Sequence, residues 1–107
     1  MKYVALTFAT ALGLSTGAWD GGEHTTERLG VYASILGRAA ACNIDTQRDA
    51  ERVAQWIDRV SAGDRDRSVR MILFAMGLEQ HAESQRSGYS IETCTEIRNR
   101  YQALDLP

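Results

Sequence analysis

Eight consecutive apolar residues, Met71-Ile72-Leu73-Phe74-Ala75-Met76-Gly77-Leu78, constrain the fold of this chain more than any other stretch. At about 3.6 residues per turn, such a run goes all the way round a helix for roughly two turns. Val69, Ile72, Leu73, Met76 and Gln80 fall on one side, and Met71, Phe74, Ala75, Leu78 and Ala82 fall on the other. A helix at the edge of a small bundle needs only one apolar side. A helix with two is either enclosed by its neighbours or docks one side against something outside the chain.

The surrounding sequence is patterned for helices. Its one proline is Pro107, and strand-like runs of Val, Ile and Thr are missing. Leu29, Tyr32, Ala33, Leu36 and Ala40 recur at helical spacing behind a Thr25 or Thr26 cap and lead to Cys42. Gly30 and Gly37 lie inside that stretch, where each costs about 1 kcal/mol relative to alanine and can mark a close helix approach. Thr46-Gln47-Arg48-Asp49 has capping-box form and opens a second helix. Its expected buried face is Ala50, Val53, Ala54, Ile57 and Val60, with Trp56 at the margin and Gly63 as a left-handed terminator. Asp64 or Asp66 is expected to cap the third helix. Ser90 would cap a fourth, seamed by Ile91, Cys94, Ile97, Tyr101 and Leu104, with Tyr89 stapled against Cys94. The expected fold is a small all-α, up-down-up-down four-helix bundle in one domain, residues 26–107.

Residues 1–18 read as an export signal. Lys2 gives the positive start, Tyr3 to Leu14 the apolar centre, and Ser15-Thr16-Gly17-Ala18 the small-residue exit. The apolar part is shorter than the roughly 20 residues a spanning helix needs, and Thr7 and Thr10 interrupt it. Cleavage near Ala18, a flexible lead over residues 19–25, and a periplasmic or secreted product without a stable membrane anchor are expected. In the up-down-up-down layout the end of the first helix and the start of the fourth share a pole. Cys42 and Cys94 therefore come together, and in an oxidising compartment they should form a disulfide.

Chemistry is sparse. The chain carries 12 basic and 14 acidic residues, for a formal net charge of −2, and they are mixed rather than massed, which argues against nucleic acid as a partner. His24 and His81 are the only histidines, and neither belongs to a metal-ligand pattern. A Gly-x-Ser-x-Gly elbow, a phosphate-gripping glycine loop and a haem-attachment motif are all missing. The sequence thus reads as a non-enzyme with no catalytic residue, metal or cofactor. The expected protein interface is Met71, Phe74, Ala75 and Leu78, rimmed by Arg67, Arg70 and His81, engaging a partner protein or a second copy. The alternative expectation is a periplasmic chaperone active under acid stress.

The export signal, the first helix ending in Cys42, Phe74-x-x-Gly77, Gly88-Tyr89 and Cys94-Thr95 together loosely resemble small exported two-cysteine helical proteins of alphaproteobacteria, which form uncharacterised families. The resemblance spans most of the chain beyond the signal. It implies the periplasm and the bridge, and it brings no activity with it.

Overall fold

The computed structural model describes the backbone of residues 16–107 and the side chains of residues 24–107. Its helices are α1 (Thr16–Ala41), α2 (Gln47–Val60), α3 (Asp64–Arg86) and α4 (Cys94–Gln102), and no strand occurs among the described residues. The expected signal lies outside the described residues up to position 15. From Thr16 onward α1 is continuous and includes residues 19–25, the expected lead.

α1 is the spine. Leu29, Tyr32, Ala33 and Leu36 from α1, Val53, Trp56 and Ile57 from α2, and Phe74 from α3 make the main core. Ile35 and Ala39 are buried as well, whereas Ala40 is exposed. Trp56 is interior rather than marginal: its ring meets Tyr32 edge-on with centroids 5.3 Å apart. The Arg28 guanidinium lies 4.9 Å from the Trp56 centroid and donates to the Tyr32 hydroxyl at 2.6 Å, closing the stack from outside.

The largest helix–helix contact is between α1 and α3, and glycine makes it possible. A Cβ on Gly37 would lie 2.5 Å from the Leu78 carbonyl oxygen and 3.1 Å from His81 Cβ, and one on Gly77 would lie 2.8 Å from Ala33 Cβ. Neither position has room for a side chain. Because Ala33 is level with Gly77, and Gly37 with Leu78 and His81, α1 and α3 run in the same direction, as an up-down-up-down bundle requires.

Cys42 and Cys94 form a disulfide with a Cα–Cα distance of 5.6 Å across a sequence separation of 52. By the chain-entropy argument, closing such a loop is worth about 4 kcal/mol. Cys42 is buried with Ala39 and Ile97, while Cys94 is exposed. Beside the bridge, Glu92 accepts from Arg100 at 2.6 Å and from Arg38 at 2.6 Å. The Arg100 hydrogen bond first, then Arg38, holds its carboxyl below the usual range. Farther along α4, Tyr101 donates to Asp49 of α2. Burial, then that hydrogen bond, pushes its phenol up to about 12.

The helix ends depart from the expected punctuation. Thr46 makes no side-chain cap, and Asp45 accepts from the Gln47 amide at 3.2 Å instead. Gly63 is extended, not left-handed, and precedes α3; α2 stops at Val60, where Ser61 returns its hydroxyl to the Ile57 carbonyl at 2.6 Å. Asp66 reaches back to the Ala62 amide at 2.9 Å. Thr93 and Glu96 form a reciprocal capping box, so α4 starts at Cys94 and not after Ser90. Tyr89 and Ile91 stand exposed in the link, and no staple forms. Val60 is exposed too, because it sits in the last turn of α2, beyond the core.

Candidate functional site

The glycine contact decides which side of α3 faces the bundle. Gly77 shares its side with Phe74, Leu78 and His81, and α1 presses onto that side. Phe74 is consequently buried at 5% exposure, and Met71 and Leu78 pack half-buried against the core. The rim predicted for the interface turns inward with them. His81 lies against Gly37, where burial, then the Arg38 charge, lowers its pKa. Arg70 is half-buried and paired with Asp66 at 3.1 Å, and Arg67 pairs with Asp58 of α2 at 3.6 Å. Of the seven predicted interface residues only Ala75 is exposed. The interface predicted at Met71, Phe74, Ala75 and Leu78 is therefore corrected: that side belongs to the core and to the α1 contact.

The opposite side is left uncovered among the described residues. Val69, Ile72, Leu73 and Met76 are 50%, 58%, 51% and 51% exposed. At roughly 100° per residue, Arg65, Val69, Ile72, Met76, Glu79 and Glu83 fall within an arc of about 80°, with Leu73 about 40° beyond it. The arrangement is polarised along the axis. Arg65 sits at the N-terminal end, beside an open hollow lined by Ala62, Gly63, Asp64, Asp66 and Val69, and it forms no ion pair among the described residues. Glu79 and Glu83 close the C-terminal end, held by Arg86 at 3.4 and 3.1 Å. Hydrogen bonds from Arg86, then Ser87, lower the Glu83 pKa.

Spacing alone puts these four side chains, with Gln80, on one side of the helix. The direction of that side was not readable from the run, since α3 has almost no apolar direction of its own. The signal that could have supplied it was Gly77, which meets α1 at Ala33, one turn before Gly37. Among the described residues no group of three or more His, Cys, Asp or Glu side chains is arranged to hold a metal ion, and no helix is long and apolar enough to cross a membrane. Compared with family models, curated proteins and solved structures, the chain shows no match.

Proposed function

We propose that this chain is a non-enzymatic, exported helical interaction module that docks through the outward stripe of α3: Val69, Ile72, Leu73 and Met76. The single observation that carries the reading is the exposure of four large apolar side chains on one helical face. Contiguous uncovered hydrocarbon on a small domain marks a surface that is covered in use. Residence in the periplasm rests on three supports: the signal-like first residues, the resemblance to exported two-cysteine proteins, and the Cys42–Cys94 bridge, which persists in oxidising compartments. The mixed charges and the thin inventory of reactive side chains support binding over catalysis and a protein over a nucleic-acid partner.

The test is a photo-crosslinking amino acid placed at Met76 and, as a control, at Arg48 on exposed α2, in cells that make the protein. Discrete adducts from position 76 and none from position 48 are expected. Adducts from neither position, or equally from both, overturn the docking reading.

A further inference from the structure

We infer that the occupant of the α3 stripe is a second copy of the same stripe, packed antiparallel about a two-fold axis level with residue 74. The inference rests on the docking reading above and names its partner. The warrant is charge complementarity built into one helix. A two-fold operation at that level exchanges position 65 with 83, 69 with 79, and 72 with 76. Arg65 of each copy, in no ion pair among the described residues, then meets Glu83 of the second copy, with Glu79 one turn away level with Val69, and Ile72 of each copy opposes Met76 of the other. A two-fold contact requires one patch to complement itself, and Arg65 at one end with Glu79 and Glu83 at the other, a cluster still net negative beside Arg86, does so in the antiparallel sense. Packed parallel, the same helices would set Arg65 against Arg65 and acids against acids. Like-charge contacts of that kind select against the wrong register. One helical face falls short of the roughly 800 Å² per partner of a standard interface, so the association is weak and reversible.

Sedimentation of the full, bridged chain tests this with three proteins: wild type, Arg65→Glu, and the double variant Glu79→Arg/Glu83→Arg. The substituted groups are exposed, and the ion pairs lost contribute little to folding, which circular dichroism checks. Wild type is expected to dimerise at about 100 μM chain, above a micromolar dissociation constant. Each variant should self-associate about tenfold more weakly, because both junctions become like-charged. An equimolar mixture of the two variants should regain wild-type association, since each then supplies the other's missing sign. A monomeric wild type, variants that dimerise as well as wild type, or a mixture that fails to recover each overturns the inference. Met76→Asp separates it from the reading beneath it. A monomeric wild type that still gives position-76 adducts with another protein removes only the self-pairing. A dimer indifferent to both Met76→Asp and the charge reversals removes the self-pairing, and the absence of position-76 adducts would remove the docking reading as well.

Discussion

Phe74 and Met76 stand two positions apart in one apolar run, yet Phe74 is shut inside the core and Met76 is half in water. Hydrophobicity did not choose between them, because the two sides of α3 carry comparable hydrocarbon. Backbone proximity did. The inward side contains Gly77 and faces Gly37, so α1 comes close enough for main chain to meet side-chain carbon directly. The outward side offers four bulky side chains and no glycine, and nothing among the described residues closes over it. Where a helix is apolar all round, the smallest residue on its surface tells which way it turns.

The difference is largest for truncation. Phe74→Ala removes a ring from a filled interior and should destabilise by about 3–5 kcal/mol in denaturant titration, while Met76→Ala should stay within about 0.5 kcal/mol. Equal losses at the two positions would break the distinction between inner and outer face. The glycines sharpen it with a change of sign. Gly37→Ala forces a methyl group against the Leu78 carbonyl and should cost about 1–3 kcal/mol. Gly30→Ala, one heptad earlier in the same helix with open space around it, should instead gain about 0.5–1 kcal/mol.

The smallest effect concerns acid. His81 lies in the α1–α3 contact with its pKa lowered from 6.5, first by burial and then by Arg38, so the unfolded chain takes up the proton more readily than the folded one. Its contribution to stability is whole above pH 6.5 and is lost as the pH falls from there through the lowered folded value. His81→Gln should flatten that part of the denaturation midpoint against pH, and an unchanged slope would mean that the inner contact does not feel this residue's charge. The same titration bears on the acid-chaperone alternative, which needs apolar surface to open as the pH drops.

The fold was largely legible because its main constraints act at a distance set by helix length. Four apolar periods on short links fix the topology, and Cys42 and Cys94 then fall at one pole whatever the local details. What escaped reading was local choice among near-equals. Asp45 competes with Thr46 for one amide, Thr93 with Ser90 for the start of α4, and Gly37 with Gly30 for the close crossing. In each case the winner is set by the position of a neighbouring helix, which a stretch of letters does not contain. Trp56 was misplaced for a similar reason. Its angle on α2 is marginal, but its long indole reaches Tyr32, and Arg28 seals it from solvent.

The staple at the closed pole is lopsided: one sulfur-bearing residue faces water and the other does not. A thiol arriving from solution attacks at Cys94 and expels Cys42 as a thiolate into surroundings made by Ala39 and Ile97, which stabilise an anion poorly. α4 must therefore lift away before the departing sulfur meets water. Until it does, the displaced thiol stays within reach of the bond it left.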